Sequence, residues 1–143
     1  MSYSEWLELF EQFKNTSTNK DLLEKLSKEP DNPSIHDKII VRYADLISYR
    51  LELSVNKIIN DLDNIYSDQN YMDFALVTFK KEINYLITML NIPLLNDVEK
   101  ANLKVQVKNK VDQIFDIMNK KALEIDYTGV LSMMIKSNGI NWS

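Results

Sequence analysis

Few side chains in this chain have types and spacing suited to chemistry. His36 is the only histidine and there is no cysteine, so composition excludes a thiolate zinc site, a disulfide framework and a cysteine nucleophile. A proton shuttle or metal cluster would need His36 to meet a convergent acid–base set, and none stands near it in sequence. Its place near a helix N-terminus also disfavours the charged imidazolium, so it reads as a structural or surface residue. A di-metal centre in a helix bundle requires Glu-x-x-His motifs on two helices, and the sequence has none. The acidic run from Asp61 to Asp68 invites a calcium reading. An EF-hand loop starting at Asp61 needs glycine at its sixth position and glutamate at its twelfth, where this chain has Tyr66 and Met72. The run therefore reads as a polar helix end.

The cations divide into two groups. Lys100, Lys104 and Lys108 form an i, i+4 row, with Lys110, Lys120 and Lys121 beyond, but Asp97, Glu99, Asp112 and Asp116 dilute it and no aromatic residues interleave. That is a solvated helix face rather than a nucleic-acid patch. Arg42 and Arg50 are the only arginines. Arg50 lies between Tyr49 and Leu51 in an apolar stretch, where a guanidinium either pairs with a carboxylate or halide or snorkels to the surface. No catalytic or metal residues emerge, and the chain is read as non-enzymatic.

These residues must be positioned by helices. With 143 residues, only two glycines and three prolines, the chain has few turns and long elements, which predicts an all-α fold in a single domain over 1–143. Net charge is −4 and the isoelectric point about 5.0, a balance that disfavours nucleic acid. Neither a basic-then-apolar leader pattern nor a run of 18 apolar residues is present, so the reading is a cytoplasmic protein that does not span a membrane.

Ser2 and Glu5 have capping-box spacing before Trp6, Leu9, Phe10 and Phe13, a first short helix. Asn15 to Asn19 breaks it. Thr18 and Asp21 start a second helix carrying Leu22, Leu23 and Leu26, and Pro30-Asp31-Asn32-Pro33 marks a loop. Ser34 caps a third helix whose apolar residues Ile40, Ala44, Ile47, Leu51, Val55, Ile58, Leu62 and Ile65 step by three and four. Unbroken from 34 to 66 it would run about 50 Å, so a kink is predicted at Ser54 to Asn56. After the polar break Ser67 to Asn70, the residues Met72, Leu76, Phe79, Ile83, Leu86 and Leu90 form the next stripe, which Pro93 ends. Phe74 and Val77 make Tyr71 to Phe79 apolar almost all round, so it should be buried on both sides. Asn96 and Glu99 then cap the longest stripe: Leu103, Val107, Val111, Ile114, Met118, Ala122 and Ile125. Leu103 to Lys108 alternates like a strand, but the helical stripe continues past it and no partner strand exists. A last helix holds Val130, Leu131, Met134 and Ile135, with Gly139 suited to a left-handed position after it.

The stretch Tyr71 to Leu90, then Val111-Asp-Gln-Ile-Phe115-Asp-Ile-Met and Tyr127, resembles the last two helices of haem-free globin-like sensor domains. These occur at the N-terminus of stressosome proteins of the RsbT co-antagonist kind and as free-standing proteins that inhibit sporulation. The likeness covers about half of the chain. It implies a six-helix globin-like bundle with two or three long helices, no haem, a homodimer through the last two long helices, and signal sensing rather than catalysis. Absence of a histidine from Val55 to Asn70 agrees with the haem-free branch. The resemblance further implies a small apolar ligand, a fatty acid with a halide, in a pocket drawn from Ile47, Leu51, Leu76, Phe79, Ile83, Ile114, Phe115 and Met118, with Arg50 as the anion's partner. Such a domain would modulate a signalling or sporulation kinase by titrating a signal away from it. The competing reading is an acidic helical protein of the immunity or phage-inhibitor type, holding a basic partner through faces such as Asp61 to Asp68. An enzyme ranks third, needing carboxylates that converge in a cleft.

Overall fold

A computed structural model describes residues 2–14, 20–28, 33–126 and 128–142. These form α1 (Tyr3–Lys14), α2 (Lys20–Leu26), α3 (His36–Asn60), the four-residue α4 (Leu62–Ile65), α5 (Gln69–Leu90), α6 (Asp97–Ile125) and α7 (Val130–Ser137), with a 3-10 turn at Pro33–Ile35 ahead of α3. The fold is all-α, with six helices beside the single-turn α4 and three of them long. The proposed break at Asn15 to Asn19, the Thr18 cap, the loop at 30–32 and Tyr127 lie outside the described residues.

Several ends form as their chemistry dictates. The Ser2 hydroxyl accepts from the Glu5 amide at 3.2 Å, and Asp68 accepts from the Asn70 amide at 2.8 Å to open α5. Asn96 and Glu99 close a full capping box: the Glu99 amide donates to the Asn96 side chain at 2.8 Å and the Asn96 amide to the Glu99 carboxylate at 2.9 Å. Leu103 to Lys108 is helical throughout.

Three local expectations are corrected. Helix α3 runs through Ser54 to Asn56 without a break and stops at Asp61 instead. Ser54 donates its hydroxyl back to the Arg50 carbonyl at 3.1 Å, so it sits in the helix with its polar group satisfied, and 25 residues at 1.5 Å each make a rod of roughly 37 Å that fits the domain. The N-cap of α3 is Ile35, with no side-chain cap bond, since the 3-10 turn carries the chain past Ser34 into the helix. The left-handed glycine is Gly129, at φ 84° before α7, and not Gly139. Helix α7 closes through Asn138, whose amide donates to the Ile135 and Lys136 carbonyls, and through Gly139, whose amide donates to Lys136 at 3.2 Å without a left-handed φ.

The long helices make the centre. Tyr43 on α3 donates to the Met89 carbonyl near the end of α5 at 2.7 Å, while Tyr71 at the start of α5 bonds Asp61 beyond the end of α3; the two helices are antiparallel. His36 and Tyr66 meet Glu99 at 3.3 Å and the Met118 carbonyl at 2.8 Å, so α6 runs with α3. Helix α1 also runs with α3, since Arg42 donates to Tyr3 at 3.0 Å and Arg50 to the Phe13 carbonyl at 3.4 Å. Trp6 is fully buried and its indole N–H donates to the Leu26 carbonyl at 3.0 Å, tying α2 to α1. The core face of α3 is turned to include Ile39, Tyr43 and Leu46, leaving Ile40 and Ala44 half-buried. Burying each large side chain of this kind stabilises the fold by about 1.5–3 kcal/mol.

Helix α5 departs from expectation in one further way. Its Met72, Leu76, Phe79, Ile83 and Leu86 face is buried, but Phe74 is 68% exposed, and Tyr71 and Val77 are also open. The segment is buried on one side only: α3, α4, α6 and α7 pack with α5 while, among the described residues, the Tyr71, Phe74 and Val77 side stays open.

Candidate functional site

Eight of the nine residues singled out in sequence lie in or against the hydrophobic core. Ile47 and Leu51 come from α3, Leu76, Phe79 and Ile83 from α5, and Ile114 and Met118 from α6; all belong to one buried cluster, with Phe115 half-buried against it. Phe79 and Phe115 meet edge to face with centroids 6.0 Å apart and planes at 75°, a favoured aromatic geometry. Met72, Met89 and Met118 are fully enclosed in the same core, where flexible thioethers repack more readily than branched side chains.

Among the described residues the core side chains pack against one another. The groove nearest to it lies between α3 and α5, where Ser54, Ile58, Phe74, Ala75 and Phe79 surround about 60 Å³. A water takes roughly 30 Å³ of liquid volume, so the groove has room for about two, against roughly 300–1,000 Å³ for a typical ligand pocket.

Arg50 marks the polar edge of this apolar cluster. Its guanidinium lies 5.0 Å from the centroid of Phe13 and 5.4 Å from that of Tyr85, sandwiched between rings from α1 and α5. It also donates to the Phe13 carbonyl at 3.4 Å, in the last turn of α1, where helix carbonyls lack intrahelical partners and a cation is favoured. Arg50 thus stays inside a three-helix junction instead of snorkelling outward.

Two tyrosines complete the edge, and sequence reasoning missed both. The Tyr85 hydroxyl is buried and has no well-formed hydrogen bond. Burial pushes its pKa up, while the Arg50 guanidinium, through its charge and a poorly aligned hydrogen bond, pulls it down. Tyr43 is also pushed upward, chiefly by burial and then by Tyr85, with Arg50 opposing, but its hydroxyl is satisfied by Met89. Tyr43, Ile47 and Arg50 are spaced four and three apart on α3, so helical spacing alone could have brought Tyr43 into the set. Tyr85 carried no such signal, because its neighbours Ile83 and Leu86 define the core face of α5.

The remaining candidates separate from this site. His36 pairs with Glu99 at the α3–α6 junction. Lys108 pairs with Asp112 at 3.1 Å with both half in solvent, as a solvated face predicts. Asp61 accepts from Asn64 at 3.0 Å and from Tyr71, which ties the start of the acidic run into local structure. Among the described residues no cluster of three potential metal ligands occurs, and no helix is long and apolar enough to cross a membrane. No family model, curated protein or solved structure matches the chain.

Proposed function

We propose that the chain is a single-domain, non-enzymatic sensor of globin-like type, whose α3–α5–α6 core takes a small amphiphile. The anionic head would sit at Arg50 and Tyr85, and the apolar body among Leu51, Leu76, Phe79, Ile83, Ile114, Phe115 and Met118. The observation that carries this reading is the Tyr85 hydroxyl, buried against the Arg50 guanidinium without a well-formed hydrogen bond, at the edge of an otherwise apolar cluster. An unsatisfied buried hydroxyl costs about 1–3 kcal/mol. A halide or carboxylate there would accept a hydrogen bond from it and pair with the Arg50 charge, offsetting that cost.

A ligand with a long chain must also part the Phe79–Phe115 contact, since the core side chains pack against one another. Occupancy then changes how α5 packs on α6, and a ligand that binds only the open arrangement shifts the population toward it. The methionines beside the two rings lower the cost of that repacking. In this proposal a cytoplasmic homodimer forms through α5 and α6, whose exposed Phe74, Val105 and Ile117 offer apolar area to a second copy. Ligand uptake modulates a signalling or sporulation kinase by titrating its signal, and neither haem nor a metal is involved.

Organic extraction of the purified protein followed by mass spectrometry tests the ligand: a co-purifying long-chain acid is expected. A protein that carries no lipid and takes up none when offered it refutes this half of the reading. Light scattering tests the dimer, with twice the 16.8 kDa chain mass expected and a monomer at micromolar concentration the contrary result.

A further inference from the structure

We propose that the groove between α1 and α3 is a second binding site, for a small amphipathic monoanion: a carboxylate or sulfonate carried on a flat apolar body. The groove encloses about 430 Å³ and is lined by Phe10 and Lys14 from α1 and by Arg42, Asp45, Leu46 and Tyr49 from α3. It stands apart from the Arg50–Tyr85 edge and does not depend on the sensor reading.

Its floor is apolar and rigid. Phe10 and Leu46 are buried, and Phe10 is held from behind by Trp6, stacked at 5.1 Å with planes 15° apart. Tyr49 is 54% exposed, a flat wall on which an aromatic or other planar body can lie. The rim is charged. Arg42 is exposed and its Nε donates to Tyr3 at 3.0 Å, which fixes the arm of the side chain while its terminal N–H groups make no bond among the described residues. Lys14, in the last turn of α1, likewise meets no carboxylate among the described residues.

Charge selects the ligand. Lys14 and Arg42 against Asp45 leave the groove at +1, in a chain whose net charge is −4. One positive charge at the rim of an apolar hollow matches one negative charge on an apolar body, and a dianion such as phosphate would set its second charge against Asp45. The volume lies within the range of small-molecule sites and is too confined for a protein interface of standard size. An anion joins a planar guanidinium and an ammonium here, a pairing in which arginine gives direction and lysine a point charge.

The test is an NMR titration of ¹⁵N-labelled protein with 1-naphthoate, alongside the neutral 1-naphthalenemethanol. Saturable shifts are expected at residues 10, 14, 42, 45, 46 and 49 and at the Trp6 indole, with the neutral compound binding severalfold more weakly. Lys14→Gln and Arg42→Gln should each weaken naphthoate about two- to fivefold, and Asp45→Asn should strengthen it by a similar factor, as exposed charge pairs are worth. Arg42 also anchors Tyr3, so Lys14→Gln, which breaks no polar contact among the described residues, is the decisive variant if Arg42→Gln perturbs α1. Shifts that map to the Phe79–Phe115 core, equal affinity for the neutral compound, no saturable binding, or a Lys14→Gln protein that binds as tightly as the original would each overturn the proposal.

Discussion

Removing the same oxygen atom from two buried tyrosines should move stability in opposite directions. In Tyr43→Phe, the Met89 carbonyl loses a 2.7 Å donor in the last turn of α5, where helix carbonyls have no intrahelical partner. Stranding a buried acceptor costs about 1–3 kcal/mol, and a value near 2 is expected because Tyr43 is fully buried. In Tyr85→Phe no acceptor is stranded, since the lost hydroxyl makes no well-formed hydrogen bond and faces the Arg50 guanidinium. The variant should gain part of the same desolvation cost, about 1 kcal/mol, because the hydroxyl's favourable interaction with the Arg50 charge is lost at the same time. Both changes keep the ring, so cavity terms drop out. Urea unfolding in halide-free buffer measures the pair, with slopes unchanged if the native core is preserved. Adding chloride or bromide should stabilise the original protein and leave Tyr85→Phe unaffected. A destabilised Tyr85→Phe in halide-free buffer would mean that its hydroxyl is already satisfied, and the argument for an anion at Arg50 would fail.

Phe79→Ala should cost about 3–5 kcal/mol, because Phe79 is 2% exposed; Phe74→Ala, in the uncovered band of α5, should change monomer stability by no more than about 0.5 kcal/mol in chemical denaturation. Asn96→Ala removes the side-chain half of the α6 capping box and should lower stability by about 1 kcal/mol, seen as early fraying of residues 97–100 in hydrogen exchange. Tyr66 is pushed from 10.0 up to about 12 by burial, so the unfolded chain ionises first: its contribution is whole below pH 10 and is lost between pH 10 and about 12. Because Tyr66 is only partly buried, roughly 1 kcal/mol of that span should survive screening, read as the difference in alkaline unfolding between the original protein and Tyr66→Phe.

Periodicity made the long helices legible, because a stripe at steps of three and four admits one buried face. It placed Met72, Phe79, Ile83, Val111 and Met118 together before any coordinates were known. The same logic fails where tertiary packing chooses among faces. Ile40 and Ala44 looked like core residues of α3, yet the buried face is turned toward Ile39, Tyr43 and Leu46, where Tyr43 reaches Met89 on α5 and Leu46 shares a groove with Phe10 of α1. Propensity misjudged Ser54, whose hydroxyl finds the Arg50 carbonyl and so does not break the helix. The band of Tyr71, Phe74 and Val77 marks a different limit, since an apolar side chain reads the same whether another helix, a second copy or water covers it.

The site was legible in its apolar part and opaque at its polar edge. Eight of its nine residues are apolar side chains whose burial follows from spacing. Arg50 drew attention through its apolar neighbours, but its position between Phe13 and Tyr85 depends on α1 running alongside α3, which no local pattern encodes. The buried donors Trp6, Tyr43 and Arg50 all aim at backbone carbonyls of helix last turns. Their targets, Leu26, Met89 and Phe13, are anonymous in sequence because a carbonyl belongs to every residue. The α1–α3 groove escaped for a related reason: Phe10 and Lys14 sit more than 25 residues from Arg42 and Tyr49, and only the packing of the two helices brings them together.

The most direct measurement is the melting temperature of delipidated protein against increasing oleate, with Arg50→Met alongside. A ligand that binds only the folded protein stabilises it by about 2.7 kcal/mol at one hundred times its dissociation constant, and for a chain of this length that is roughly 5–10 °C. The account predicts a saturable rise of that order in the original protein and a weaker one, displaced to higher oleate, in Arg50→Met. A melting temperature that stays flat or falls with oleate, or a rise of equal size and midpoint in both proteins, would contradict a head-group site at Arg50 and Tyr85.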